Sequence, residues 1–369
     1  MSLKNFQYYE CVSCGETFDI KELKYTCDDC GSNLKLILNY DKCKKNINRA
    51  YFENNKNYNI WRYLDILPIN SRKKLIPLQI GWTPLYKCER AKKELGLTNL
   101  YFKDDGRNPS ASFKDRAGAV ALLNAIENNA EIITGASTGN AASSMACLSA
   151  SLGISPVIFV PKAAPIAKIS QLLVFGAQVY AVNGTYDDAF DLCLKVTEKF
   201  GWYNRNTGFN PYTREGKKTC ALEIIEQLNW KVPDKVFVPV GDGNIISGIW
   251  KGFKDFYELG LIEKLPQLIA VQAEGSAAIS NAINKNTKVI EAVKANTIAD
   301  SISVDIPRDG ELAVKSVLES QGGAVTVSDN EILSAIKEVA RLTGIFGEPA
   351  GVTGYAGLKK LLNANKLKE

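Results

Sequence analysis

The chain of 369 residues contains no histidine. That absence excludes a Ser-His-Asp or Cys-His nucleophile and any metal site with a histidine ligand. Proton transfer near neutral pH then falls to a carboxylate, a perturbed lysine or cysteine, or a cofactor. No apolar run approaches the ~20 residues of a membrane span. The first residues, Met1 to Asn5, are too polar for a secretory signal, so a cytoplasmic protein without a membrane partner is expected. Also missing is a concentrated basic arm: the formal charge of +5 is spread over many lysines, which predicts solvated surface and no nucleic-acid partner. Internal repeats are absent, and low complexity is confined to one asparagine-rich stretch. With 46% apolar residues the chain can bury a large core and is expected to divide into more than one lobe.

What is present begins with cysteine. Cys11-x-x-Cys14 and Cys27-x-x-Cys30 form two knuckles separated by twelve residues, each followed by a glycine, Gly15 or Gly31. Four thiolates on two short knuckles match a closed, structural zinc ribbon. Disulfides or unrelated thiols are the competing reading, and the spacing together with the dispersal of the other cysteines favours zinc. Cys43, Cys88, Cys147, Cys193 and Cys220 have no ligand spacing and are expected to be small buried apolar residues. Residues 1–39 are therefore expected to be a zinc ribbon, and from Tyr40 to about Ile76 a polar arm should pack on the main body.

Beyond residue 100 short apolar strands alternate with helices. Strands are expected at 100–103, 131–135, 156–161, 178–183, 235–240 and 268–273. Helices are expected at 114–128, 139–152, 165–175, 186–200, 214–228 and 244–259, with later ones after Ser276 and Ser328. Ser328 and Glu331 have capping-box spacing. Such alternation predicts an α/β fold with parallel sheets covered by helices, whose ligand-binding loops follow the carboxyl ends of the strands.

Three segments carry chemistry. Asn108-Pro109-Ser110-Ala111-Ser112-Phe113-Lys114-Asp115-Arg116-Ala117-Gly118 delivers one lysine, beside an aromatic neighbour, to the mouth of an apolar helix. A lysine that must lose its proton and attack a carbonyl needs such preparation, because partial desolvation lowers its pKa. Ser137-Thr138-Gly139-Asn140 closes one strand and opens a helix, where free backbone N–H groups make an anion cradle. A simple Ser or Thr N-cap is the competing reading of that segment. Gly241-Asp242-Gly243-Asn244 follows another strand and precedes another helix, a setting in which two glycines let the backbone fold around a phosphate. It is neither a Rossmann fingerprint nor a P-loop. Taken together, a prepared lysine, an anion cradle and a phosphate loop suit a phosphorylated aldehyde cofactor.

On these segments the sequence resembles the fold type II pyridoxal-phosphate enzymes (tryptophan synthase β-like), and within them the threonine synthase family. The stretches Thr297-Ile-Ala-Asp-Ser-Ile302 and Gly344-Ile-Phe-Gly-Glu-Pro-Ala350 add to the likeness, and one branch of that family carries an amino-terminal zinc ribbon. The resemblance implies two parallel-sheet lobes in a catalytic domain of residues 40–369, with the smaller lobe at about 120–215. It implies pyridoxal 5'-phosphate as cofactor, covalently held by Lys114, which would also shuttle protons. Asn140 would bond the ring hydroxyl oxygen. Gly241, Asp242, Gly243 and Asn244 would cradle the cofactor phosphate, and Ser137, Thr138 and Gly139 the carboxylate of a small amino-acid substrate. The implied reaction eliminates phosphate from O-phospho-L-homoserine and adds water to give L-threonine. The family also leaves room for a homodimer.

Three departures accompany the likeness. The phosphate loop is one residue shorter than the family's Gly-Asn-Ala-Gly-Asn. Gly208 and Thr213 stand where a serine and an arginine bind the substrate phosphate, although Arg205, Arg214 and Lys217 are near enough to substitute. The chain stops at Leu367-Lys368-Glu369, before the strand that carries the hydroxyl partner of the pyridine nitrogen, so weaker cofactor binding and slower turnover are expected. β-Replacement on phosphoserine, a serine or threonine dehydratase, and a silent cofactor-binding relative are the alternatives. Arg308, Glu274 and Asp300 are expected on loop rims.

Overall fold

The computed structural model describes residues 3–70 and 75–367. Residues 71–74 of the expected arm, the first two residues, and the terminal Lys368 and Glu369 lie outside them. The chain forms two compact units. One comprises Met1–Trp82, Asp105–Cys220 and Glu258–Leu261; the other comprises Thr83–Asp104, Ala221–Tyr257 and Ile262–Glu369.

The first unit opens with a three-stranded antiparallel ribbon in the order Thr17–Asp19, Phe6–Cys11, Leu34–Leu38. Leu34, Leu36 and Leu38 are buried and the residues between them are not, so one face of the ribbon is core. The asparagine-rich arm that follows is built of short helical turns, Tyr40–Lys44, Arg49–Glu53 and Ile60–Ile66. Its asparagines start those turns: Asn39, Asn48 and Asn59 each accept from a backbone N–H, of Lys42, Tyr51 and Trp61 respectively, at 2.8–2.9 Å. Buried Arg62 gathers the carbonyls of Phe52, Asn55 and Asn57.

The same unit holds a four-stranded parallel sheet in the order Gln178–Val182, Val157–Pro161, Ile133–Ala136, Tyr203–Asn204. Helix Tyr186–Phe200 supplies Ala189, Phe190 and Cys193 to a core with Ala136, Val157 and Phe159. Helix Lys114–Glu127 is buried on every side from Asp115 to Ala125, the condition of a helix interior to a layered fold. At Gly118 a Cβ would stand 2.7 Å from Ser144 Oγ, so this helix and Asn140–Ala150 pack closely and a larger residue would oblige the Ser144 side chain to shift.

The second unit carries a three-stranded parallel sheet, Lys235–Pro239, Gln267–Ala273, Gly323–Val327. Helix Pro349–Asn363 lies tightly on it, because a Cβ at Gly357 would come within 2.6 Å of Val271 Cγ1. The capping box at Ser328 and Glu331 is present, with both reciprocal bonds.

One expectation is corrected here. The strand Tyr101–Lys103 does not join a parallel sheet; it pairs antiparallel with Leu85–Lys87. The intervening helix Glu89–Leu95 is short and ends at Gly96 in the left-handed conformation (φ +68°), so the chain doubles back beside itself.

Candidate active site

Lys114 is the first residue of its helix and is half-buried. The loop before it is tied down by local chemistry. Asn108, buried, accepts from the Gly81 N–H (2.9 Å) and donates to the Asp105 carbonyl (3.0 Å). Asp115 accepts from both the N–H and the hydroxyl of Ser110, at 2.7 and 2.6 Å. Burial pushes the Asp115 carboxyl up, and those two Ser110 bonds oppose the shift. Ser112 Oγ accepts from the Lys114 N–H at 3.1 Å. Between them Ala111 is held at φ +54°, a left-handed backbone that a side chain rarely adopts.

Arg116 braces the next turn. It grips Asp105 through Nε (2.7 Å) and Nη2 (2.9 Å), donates to Thr219 Oγ1 (3.0 Å), and lies over the Phe113 ring. The helix Tyr212–Gln227 presses on the same turn: a Cβ at Gly216 would fall 1.9 Å from the Arg116 carbonyl oxygen. The lysine therefore sits on a rigid mount made by Asp105, Ser110, Asp115, Arg116, Gly216 and Thr219. Sequence pattern alone did not single out Gly216 or Thr219, since nothing marks residues one hundred positions apart as partners, nor Asp105, which lies eleven residues before Arg116 outside the lysine segment.

Ser137–Asn140 follows the strand Ile133–Ala136 in the same unit, all four residues half-buried. The N-cap is Gly139, with no side-chain cap bond, so the Ser or Thr cap weighed from sequence is not how this helix starts. Ser137 Oγ instead accepts from the Gly139 N–H at 3.2 Å. A Cβ built on Gly139 meets nothing within 4 Å. An uncapped helix start beneath open space is an arrangement that can receive a carboxylate.

Gly241–Asn244 belongs to the second unit and begins helix Asn244–Glu258. Gly243 has φ +92°, and a Cβ there would stand 2.8 Å from the Asp309 carbonyl; one at Gly241 would stand 2.9 Å from Ile302 Cα. Both glycines are therefore required for the turn itself. Asp309, buried and not foreseen, anchors the loop: its Oδ2 accepts from Asn244 Nδ2 (2.9 Å) and Ser247 Oγ (2.7 Å), and its N–H donates to the Asp242 carbonyl (2.9 Å). Arg308 contributes its backbone N–H to Asp242 Oδ1 at 3.2 Å. A glycine turn running into a helix amino terminus has the donor set for a phosphate monoester.

In the ribbon, Cys11, Cys14, Cys27 and Cys30 bring their sulfurs within 4.8 Å of one another. Individual separations of 3.4 Å (Cys11–Cys30), 3.6 Å (Cys14–Cys30) and 3.7 Å (Cys14–Cys27) lie near the edge of a tetrathiolate tetrahedron, about 3.8 Å for a metal–sulfur bond of about 2.3 Å. Burial works against ionising Cys11, but hydrogen bonds from the Cys14 N–H and thiol, the Ser13 N–H and the Cys30 thiol together outweigh it and bring the thiol down to about 7. The other five cysteines are all buried and reduced, as expected. No helix among the described residues is long and apolar enough to cross a membrane.

A sequence profile of pyridoxal-phosphate dependent enzymes matches residues 76–369, and the chain belongs to that family. Its α/β architecture is fold type II. Among solved structures it is similar to the processed form of threonine deaminase isoform 2 from Solanum lycopersicum, with a TM-score of 0.67 at 26% identity, covering 78% of this chain and 76% of that one. Maize serine racemase superposes with the same TM-score at 22% identity, over 78% and 83% of the two chains, a likeness of fold. Within the family the chain falls with the threonine synthases. It is 41% identical to that of Methanocaldococcus jannaschii over 95% of this chain and 87% of the relative. The threonine synthase of Methanosarcina acetivorans is 37% identical over 96% and 87%.

Proposed function

We propose that this chain converts O-phospho-L-homoserine to L-threonine and inorganic phosphate, with Lys114 as its catalytic lysine. The observation that carries the reading is the mount of Lys114: a single half-buried lysine at a helix mouth, braced by Arg116–Asp105 and Asp115–Ser110, in a chain similar to threonine synthases over nearly its whole length.

Pyridoxal 5'-phosphate, when bound, supplies the electron sink for carbanion chemistry at the substrate. The chain's own residues do the rest. Gly241, Asp242, Gly243 and Asn244 hold the cofactor phosphate with backbone N–H groups at a helix start. Asn140 would orient the cofactor ring by a hydrogen bond from its carboxamide to the ring's hydroxyl oxygen. Ser137, Thr138 and Gly139 bind the substrate carboxylate at the uncapped helix start. Lys114 Nζ would take and return protons at the reacting carbons, the role that a histidine-free chain must give to another base. Cys11, Cys14, Cys27 and Cys30 hold one zinc ion with a closed sphere, so the metal is structural.

Two measurements test this. Borohydride reduction of the holoenzyme and peptide mapping should place the pyridoxyl label on Lys114; a label on another lysine removes the assignment. Phosphohomoserine should give equal amounts of phosphate and threonine. The stretch Thr207–Gly216 supplies a second reading. Gly208 has no side chain, and the Thr213 hydroxyl is already given to the Asn210 carbonyl at 2.7 Å. Faster phosphate release from phosphoserine than from phosphohomoserine would replace the proposal with β-replacement.

A further inference from the structure

The substrate implied by that reading carries a phosphate, and neither Gly208 nor the committed Thr213 can bind it. The cations nearby differ sharply in how they are engaged. Arg214 is buried and donates through Nη1 to the Leu34 carbonyl of the ribbon at 3.0 Å. Lys218 is paired with Glu215 at 2.7 Å and lies over the Phe6 ring. Lys217 is engaged as well. Arg205 is the exception. It is 4% exposed, yet its Nε and Nη2 are buried without a hydrogen-bond partner, and Nη1 makes one long contact of 3.4 Å to Thr207 Oγ1.

The position of Arg205 is set by the sheet. The strand Tyr203–Asn204 runs parallel to Ile133–Ala136, and the Arg205 N–H continues the ladder to the Thr134 carbonyl at 2.8 Å. Its neighbour Asn206 accepts from the Ala136 N–H at 2.7 Å, immediately before Ser137. Asn204 points at helix Tyr186–Phe200, where its Nδ2 donates to Thr197 Oγ1. Side chains alternate along a strand, so Tyr203 and Arg205 share the other face. Tyr203 there reaches Asn124 of the Lys114 helix. Arg205 is two residues further toward the carboxyl rim, where it feels the charge of Asp115 at the start of that helix. Burial lowers its pKa to about 10, which leaves it cationic at neutral pH. A buried guanidinium with two unspent donors is a fork without its oxyanion.

We infer that Arg205 binds the phosphate of the substrate, taking the part that Gly208 and Thr213 cannot. Two adjacent N–H groups on Nε and Nη2 form the planar edge that grips two phosphate oxygens. The inference rests on the proposed reaction only for the identity of the phosphate ester; the anion site itself stands apart from it.

The test uses the holoenzyme and inorganic phosphate. Phosphate binding to wild type, Arg205→Met and Arg205→Lys is measured by calorimetry and as competitive inhibition of phosphohomoserine turnover. L-Threonine, which lacks the phosphate, is titrated in parallel through the visible spectrum of the cofactor. Both variants should bind phosphate at least about tenfold more weakly, as expected for loss of a charge-assisted fork. KM for phosphohomoserine should rise by a similar factor with kcat changed less, and threonine affinity should stay within about twofold. Unchanged phosphate affinity in either folded variant overturns the inference and leaves the guanidinium with water as its partner. Parallel loss of threonine affinity overturns it in favour of a carboxylate ligand. If Arg205→Met does not fold, Arg205→Lys decides the question, because it keeps the charge and loses the fork. Failure of wild type to make threonine, with Arg205-dependent phosphate binding intact, would defeat the proposed reaction and spare the anion site.

Discussion

Asp309 sets the Gly241–Asn244 loop through hydrogen bonds to the chain itself. A carboxylate beside the loop proposed to hold the cofactor phosphate looks like a mistake in electrostatics, since like charges repel. Here the carboxylate is directed at the loop: its Oδ2 holds both Asn244 and Ser247 while the Asp309 N–H holds the Asp242 carbonyl. The carboxylate thus fixes the first turn of helix Asn244–Glu258 and the left-handed Gly243 in one geometry. Removing it takes a charged acceptor from two buried donors, and a hydrogen bond to a charged group is worth about 1.5–3 kcal/mol. Asp309→Ala should therefore lower the melting temperature of the cofactor-free protein and weaken cofactor binding by about tenfold or more. Thermal denaturation of the apo form and cofactor titration check the two effects separately. A variant with native stability and weak cofactor binding would mean that Asp309 acts on the ligand directly.

At the scale of elements, two glycines make opposite demands. Gly216 is where helix Tyr212–Gln227 meets the backbone of Arg116, and a methyl group there would collide with a carbonyl oxygen at 1.9 Å. Neither partner is the flexible end of a side chain, so Gly216→Ala should cost at least the ~1–3 kcal/mol of an overpacked core and displace the turn that carries Lys114. Gly139 has φ −103° and open space around its missing Cβ. Gly139→Ala should leave stability within about 0.5 kcal/mol of wild type while raising KM several-fold, because the methyl enters the space assigned to the substrate carboxylate. Urea titration and steady-state kinetics of the two variants should separate cleanly. The elements themselves were legible to different degrees. Helix Tyr186–Phe200 stands where its apolar period put it, and strand Val157–Pro161 begins one residue later than expected. Helix Tyr212–Gln227 begins two residues early, because Arg214, Glu215, Lys217 and Lys218 are buried and erase the polar face that periodicity needs. The strand Tyr203–Asn204 is too short to show a period. The strand Gly323–Val327 follows Gln321 at φ +53° and a glycine pair, which reads as a loop until Gly322 is seen packed on the Leu268 carbonyl. Lys114, Ser137–Asn140 and Gly241–Asn244 could be singled out because the roles proposed for them depend on local backbone, and Arg205 because it lies near Gly208; Asp309 depends on partners that only the fold brings near.

At the scale of the molecule, the ribbon is part of the first unit's interior rather than an appendage to it. The Tyr9 and Tyr212 hydroxyls share a hydrogen bond of 2.7 Å, and their rings meet edge to face. The Tyr25 hydroxyl accepts from the Asn204 N–H at 3.0 Å, and its ring stacks on Phe209 at 4.8 Å. Arg214 donates to the Leu34 carbonyl at 3.0 Å. All of these contacts fall on residues 204–214, the stretch that begins beside Arg205 and ends at the helix pressing on the Lys114 turn. A ribbon of this size cannot build its own core, and four thiolates around the proposed metal would replace that missing core. Loss of the metal should therefore be felt beyond the cysteines. Cys27→Ser, or chelation, should remove about one equivalent of zinc per chain and expose the amides of residues 204–214 to hydrogen exchange. Phosphate affinity should fall with them, while the amides of strand Gln267–Ala273, in the other unit, stay protected. Exchange confined to residues 1–39 after zinc loss would show that the ribbon folds on this unit without organising it, and full zinc retention by Cys27→Ser would place the metal elsewhere.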